Sequence, residues 1–393
     1  MLAQFSWDEI WPLAVAIGIV MAVIPGLGLY MTFIERKAAA YIQDRIGPNR
    51  VGPLGLLQAV ADAIKIFLKE QVIPNHVFKS VYFVAPILGL ICAMLGASVV
   101  PFGPTDPNST GGFRAIIAPH VDIGLLFLLA VSSLSAYGIV LGGWASNNKY
   151  SMFGALRSCA QFISYEIPMG LSLLGVIMIT GSLNIEQMVT AQGEGITGWN
   201  IWWQPLAALM FFTASLAETN RLPFDLPECE QELVGGFHTE YGGIKFSLFF
   251  LAEYTHLTTV SFLTALLFLG GWNFPGLTGP IDASVTGYLL RWLVLVVKVA
   301  LVTAVIIQLR WTLPRFRFDQ LMGLAWCGMI PLALMNFIGV VAVLSFGFSK
   351  WWLAPLSIAL VLIAGWWTAK TTTASMARRT ALARVSPAAP AAN

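Results

Sequence analysis

Charge is scarce in this chain: 11% of its 393 residues are Asp, Glu, Lys or Arg, while 57% are hydrophobic. That balance excludes an ordinary soluble domain, in which about a quarter of the residues are charged. Cysteine is scarce as well. Cys92, Cys159, Cys229 and Cys327 stand alone, with no Cys-x-x-Cys and no Cys/His ligand spacing. The chain therefore offers no zinc, haem-attachment or iron–sulfur motif of its own. Neither a Gly-x-Gly-x-x-Gly nor a Gly-x-x-x-x-Gly-Lys-Ser/Thr phosphate cradle occurs. The net charge is +2, and the basic residues do not gather into an arm with interleaved aromatics, which argues against a nucleic-acid partner. No cofactor is expected to be bound by this chain itself.

What the sequence does have is long apolar runs. Runs of about 20 apolar residues match the ~30 Å hydrocarbon core that a helix must cross. They fall at 9–34, 81–102, 121–143, 158–180, 200–217, 246–271, 289–310, 321–347 and 350–368. The expected fold is an all-α integral membrane protein with about nine transmembrane helices, occupying residues 1–370. The first run is flanked by Asp8 and Glu9 rather than Lys or Arg, unlike a signal peptide, and reads as a retained span. Pro25 and Gly26–Gly28 inside it predict a kink or local unwinding. Residues 371–393, rich in Ala and Arg and ending in Ser-Pro-Ala-Ala-Pro-Ala-Ala-Asn, read as a disordered polar tail facing the cytoplasm or lipid headgroups.

Gly52–Val72 differs from the spans. It contains Asp62, Lys65, Lys69 and Glu70 opposite a stripe of Leu57, Val60, Ile64, Phe67 and Leu68. That pattern predicts an amphipathic helix lying in the membrane interface. Asp62 and Lys65, at i and i+3, are placed to pair.

Lys and Arg orient the chain. With the N-terminus outside, 18 of the 22 basic residues fall on the cytoplasmic side, in loops 35–80, 144–157, 218–245 and 311–320, in the tail, and at Arg310 and Lys370 beside them. Arg114, Arg291 and Lys350 fall outside, and Lys298 falls within a span.

The segment Glu218–Lys245 concentrates acid. It carries Glu218, Asp225, Glu228, Glu230, Glu232 and Glu240 against Arg221 and Lys245, between two apolar runs. Pro223 and Pro227 argue for a loop entering a short helix. Glu166 and Glu253 each lie about eight residues, or ~12 Å, inside their runs, beneath this loop. Lys298 lies ~18 Å from Arg310, near the midplane. Ionisable groups at such depth are expensive, face a polar interior and mark ion or proton paths. Clustered carboxylates raise one another's pKa, which lets one hold a proton near neutral pH. The blander reading pairs each charge locally: Glu166 with Arg157, Glu253 with His256.

Four stretches carry a resemblance: ERKAAAYIQDRIGPNRVGPLGLLQAVADAIKIFLKE (35–70), GGWASNNKYSMFGALRSCAQFISYEIPMGLSLL (142–174), ETNRLPFDLPECEQELVGGFHTEYGGIKFSLFFLAEY (218–254) and LPRFRFDQLM (313–322). Together they are similar to the H-subunit family of proton-pumping NADH–quinone oxidoreductase, respiratory complex I, over most of residues 7–345. The resemblance implies a bacterial inner-membrane protein at the junction of the peripheral and proton-pumping arms. Quinone, as substrate, would enter past the first span and the amphipathic helix. Glu35, Arg36, Arg45, Asp62, Lys65 and Phe224 would line its cavity or path. Glu166, Glu218, Arg221, Asp225, Glu228, Glu230, Glu232, Glu240 and Glu253 would form an acidic funnel toward the proton-pumping arm, with Lys298 resembling a lysine of bacterial relatives. Iron–sulfur clusters, FMN and NADH would be handled by peripheral-arm partners. Small membrane subunits, antiporter-like subunits and lipids complete the expected neighbours. Two features depart from the family: Cys327 stands where a lysine is usual, and the ninth span exceeds the commonest eight-helix form. The corresponding membrane protein of a membrane-bound hydrogenase-type complex would share the fold without a quinone. A stand-alone transporter should show inverted repeats, and none is convincing here. A purely structural anchor is the remaining rival.

Overall fold

The computed structural model describes residues 7–104, 121–193, 195–225, 234–278, 285–366 and 370. Among them there is no strand, and helices lie on every expected span. They are α1 (Trp7–Ile42), α2 (Gln58–Leu68), α3 (Lys79–Ala97), α4 (Gly124–Ala145), α5 (Lys149–Thr180), α6 (Ile185–Thr190), α7 (Asn200–Trp203), α8 (Pro205–Glu218), α9 (Ile244–Phe268) and α10 (Val285–Thr312). Two more follow, α11 (Phe318–Ser345) and α12 (Lys350–Trp366). Five of the described helices, α3, α4, α5, α10 and α11, are long and apolar enough to cross a bilayer. The chain is thus an all-α, multi-pass membrane protein.

Apolar side chains face outward in a way that water would punish. Leu289, Leu293, Val297, Leu301 and Val305 follow one another at every fourth position of α10, and each is about half exposed. A continuous stripe of this kind needs an apolar partner, and lipid supplies one. Inside the bundle, helices approach through small residues, as membrane helices do. At Gly138 of α4 an added Cβ would lie 2.9 Å from the backbone nitrogen of Gly89 on α3. The main core joins α5, α8 and α9, with Met169, Leu173, Phe211, Ala214, Leu266 and Phe268 among its buried members.

The helices depart from the sequence pattern in three places. Residues 25–28 do not unwind: α1 is helical from Trp7 to Ile42. Gly28 there serves close packing instead, its missing side chain leaving room for Tyr254 Cβ of α9, 3.3 Å from where a Cβ would sit. The fifth run is split into α7 and α8 at Gln204, because Pro205 opens the second piece at its first position, where a missing N–H costs nothing. The fourth span starts earlier than residue 158, at Lys149, where the Asn148 side chain accepts from the Tyr150 N–H at 3.1 Å and caps the helix. Residues 371–393 lie outside the described residues.

The interfacial helix forms as its stripe predicts. Ala59 of α2 is buried, whereas Leu57, Val60, Ile64, Phe67 and Leu68 are exposed, so the apolar face points away from the bundle. Within α11, residues Leu324–Met329 form a π-turn, a local widening frequent at functional sites. There Trp326 Nε1 donates to Ser164 Oγ of α5 at 3.1 Å, and Cys327 is exposed.

Candidate functional site

The site gathers at the end of the bundle that carries α2, where α1, α8 and α10 finish and α9 begins. Glu35, in the penultimate turns of α1, is 6% exposed. A buried carboxylate is tolerated only when paired and hydrogen-bonded, and Glu35 has partners from three other elements. Arg221, just past α8, places Nη1 2.9 Å from both Glu35 oxygens. Arg310, near the end of α10, also donates to Oε1. Tyr254 of α9 donates its hydroxyl to Oε2 at 2.5 Å.

Arg221 carries the charge onward. Its Nε lies 2.8 Å from Glu253 Oε1 on α9, and its guanidinium stacks 4.3 Å from the Tyr254 ring centroid, a favourable place for a desolvated cation. Two carboxyls, Glu35 and Glu253, therefore face two guanidiniums, Arg221 and Arg310. The planar guanidinium is the group best suited to bridge two carboxylates at once.

Deeper along α9 is a second group. Glu218, the last residue of α8, is 3% exposed, and its Oε1 stands 3.3 Å from His256 Nε2. Glu166 of α5 interacts with Ser133 and lies in the field of both Glu218 and His256. A cleft opens beside this pair, with Glu218, Glu253, His256, Ser135 and Asn220 in its wall. Chemically, the arrangement is a succession of buried acid–base groups, of which Glu218 and His256 stand 3.3 Å apart. Such a row can hold and pass protons where isolated charges would be prohibitive.

At the rim, Arg36 and Asp62 form a 2.5 Å ion pair joining α1 to α2. Gln58 donates to the other Asp62 oxygen at 3.0 Å. Asp62 is thus taken by Arg36 rather than by Lys65, which is exposed. A guanidinium delivered by the end of α1 outcompetes a flexible ammonium on the same helix. Lys37 donates to the carbonyls of Pro48 and Leu54 at 3.1 and 3.0 Å, pinning the connection between the two helices. Arg45 is exposed and bonds Gln43.

Asp225 faces Arg315 at 3.3 Å. Burial pushes its carboxyl up to about 6, against the opposing pull of Arg315, Arg310 and Arg221. It is the titratable edge of the arginine cluster. In the same loop, burial pushes His238 down to about 4, so its imidazole is neutral at pH 7. Phe224 is 3% exposed and packs between Tyr165 and Phe316. Gln161 Nε2 donates to its carbonyl at 2.9 Å, so this residue shapes the loop from within the core.

Two expected members lie apart. Glu240 accepts from Asn148 at 2.8 Å and sits 3.7 Å from His76, clasping the loops before α3 and α5. Lys298 donates to the carbonyls of Leu269, Gly271 and Asn273 at 2.6, 2.8 and 2.7 Å, and lies 4.3 Å from the Trp199 ring centroid. It ties the turn that follows α9. Glu228, Glu230 and Glu232 lie outside the described residues. Local pairing of Glu253 with His256 does not occur, since Arg221 takes Glu253 and His256 faces Glu218. Sequence reasoning passed over Arg310 and Tyr254 as site residues. Their signals were present: a basic residue closing an apolar run, and a tyrosine directly after a buried glutamate.

Known proteins resemble the chain over most of its length. The family model described as NADH dehydrogenase matches residues 15–341. The H subunit of an NADH-quinone oxidoreductase from Leptospira biflexa serovar Patoc is 47% identical over 339 residues, covering 82% of this chain and 93% of that protein. "NADH-quinone oxidoreductase subunit 8" of Rhodothermus marinus is 45% identical over 320 residues, covering 78% and 90%.

Proposed function

Because the chain belongs to the NADH dehydrogenase family and is a membrane subunit of NADH-quinone oxidoreductase, respiratory complex I, we propose that it guides quinone to its reduction site and converts that reduction into proton movement. The relatives' names favour this over a hydrogenase-type role. The observation that carries the reading is the four-element junction at Glu35, where Arg221 links the end of α1 to Glu253 inside α9.

Quinone leaves the bilayer along the exposed apolar face of α2 and passes the Arg36–Asp62 pair. Lys65 and Arg45 attract the polar headgroup at the mouth. The headgroup then meets a peripheral-arm partner bearing the terminal iron–sulfur cluster; partner-held clusters and FMN supply the electrons from NADH. Reduction to hydroquinone consumes two electrons and two protons. Removing protons beside Glu35 and Asp225 changes the charge facing Arg221 and Arg310. A buried guanidinium between two carboxylates responds strongly, since breaking such a pair costs about 3–5 kcal/mol. When Arg221 shifts its weight toward Glu35, Glu253 is left to take up a proton. Glu218 and Glu166 continue the row toward small membrane and antiporter-like subunits. Glu228, Glu230 and Glu232 extend the acidic loop, Glu240 braces it, and Lys298 holds the far end of α9 in place. The topology is that of a bacterial inner-membrane protein with its N-terminus outside and the Glu218–Lys245 loop on the cytoplasmic side.

The experiment is a paired assay of quinone reduction and proton pumping by the intact complex in proteoliposomes. Glu35→Gln, with the subunit content unchanged, is expected to lower quinone reduction at least tenfold. Wild-type rates in that variant would remove Glu35 from the site.

A further inference from the structure

At the inner end of the cleft stands a group that is neither carboxylate nor guanidinium. His256 and Glu218 line the cleft, and the same two residues line a second, smaller cavity. That second cavity is otherwise walled by apolar or hydroxyl side chains farther along α9, α4 and α5, such as Val260, Leu263, Leu128, Met169 and Leu173. The pair therefore stands in the wall of both cavities. His256 stands about 18 Å up α9 from Ile244, at about 1.5 Å per residue.

Charge counting singles out the histidine. At the outer cluster two arginines answer two carboxyls. Among the described residues lining the two cavities, His256 is the one basic side chain. The titratable groups facing it are Glu218 from the end of α8 and Glu166 from α5. Glu253, one turn back on α9, shares the cleft. The α4 residues near this row, Ser133 and Ser135, are hydroxyls. Moving a proton among two carboxyls and one imidazole leaves the net charge of the group unchanged, so it avoids the penalty of adding a further unpaired buried charge.

We propose that His256 is a proton-carrying residue of the relay, passing protons between Glu218 and Glu166. The inference rests on the coupling role proposed above and adds a member to it. In each passage the O–H bond of a protonated Glu218 breaks and an N–H bond forms at Nε2, giving imidazolium beside carboxylate. The imidazolium then gives a proton to the Glu166 carboxylate and returns to neutral imidazole. One proton has moved and no other bond has changed. His256 owes this role to its two ring nitrogens, one able to receive while the other donates.

The test is His256→Gln in the intact complex, with His256→Asn as a second amide. Either amide keeps a donor toward Glu218 and cannot change its protonation. The protons pumped per NADH oxidised are expected to fall at least threefold, with the pH profile of pumping losing its histidine inflection. An assembled amide variant with the wild-type ratio and profile would overturn the proposal. If neither variant assembles, the wild-type complex with 15N-histidine is studied by infrared difference spectroscopy on quinone reduction. A label-sensitive imidazole band is expected, and its absence overturns the proposal. Normal pumping in Glu253→Gln would remove the relay as a whole. Impaired Glu253→Gln beside normal His256→Gln removes the histidine step alone.

Discussion

Arg221 and Glu35 meet through a single guanidinium nitrogen, Nη1, that stands 2.9 Å from both carboxylate oxygens. Because the same arginine reaches Glu253 at 2.8 Å through Nε, it joins the end of α1 to the interior of α9. Arg221→Met is expected to leave Glu253 buried without its cation, while Glu35 keeps Arg310. The penalty for such a stranded charge is about 3–5 kcal/mol. The complex should show a lower thermal midpoint in detergent and reduced occupancy of this subunit. Arg221→Lys keeps the charge but not the fork, and should fall between. Equal stability of all three forms would show that Arg221 is not a structural and electrical link.

Asp225 gives the site a pH dependence that can be signed. Burial raises its carboxyl from 3.8 to about 6, a rise equivalent to about 3 kcal/mol. A folded-state pKa above the unfolded one favours the protonated fold. The contribution is full below pH 3.8 and is lost as pH rises through about 6. Asp225→Asn, which mimics the protonated state, should therefore be more stable than wild type above pH 6 and indistinguishable from it near pH 4. The pH profile of quinone reduction should lose its inflection near 6. Thermal midpoints of the purified complex across pH 4 to 8 check the first statement, and steady-state kinetics check the second.

The Arg36–Asp62 pair is half open to solvent, with side-chain exposures of 56% and 29%. Exposed pairs of this type contribute about 0–1 kcal/mol. Asp62→Ala should leave assembly intact and raise the quinone KM several-fold, because the proposed entry path, and not the fold, depends on it. A variant with unchanged KM and unchanged inhibitor sensitivity would take Asp62 off that path.

Lys298 is predicted to behave in the opposite way. Its ammonium answers three carbonyls beyond the end of α9. Lys298→Met strands them, at about 1–3 kcal/mol for each group left unsatisfied. The expected result is loss of the assembled protein, with the residual complex pumping at the normal ratio. A stable complex with a lowered ratio would instead make Lys298 part of the proton path.

Much of this arrangement could be read in the residues. Leu57, Val60, Ile64, Phe67 and Leu68 announced an interfacial helix, because helical periodicity is a local property of sequence. Counting along apolar runs placed Glu166 and Glu253 inside their helices, where they are found. Partners were not legible. Asp62 was expected to pair with Lys65 three residues away, but the end of α1 brings Arg36 closer. Arg310 and Tyr254 reach Glu35 from helices far away in the chain, and only packing at positions such as Gly28 sets that approach. Lys298 bonds backbone carbonyls, which have no residue identity for a sequence to display. Pro25 suggested a broken helix, yet in a bilayer unpaired backbone groups are too costly to leave exposed, and α1 stays helical.

The central claim is that buried carboxylates of this chain convert quinone reduction into proton movement. The most direct measurement is the number of protons pumped per NADH oxidised by the complex carrying Glu253→Gln, reconstituted with all subunits present. Gln keeps the shape beside Arg221 but cannot take up a proton. The ratio is predicted to fall well below that of wild type. An unchanged ratio, with assembly intact, would contradict the claim.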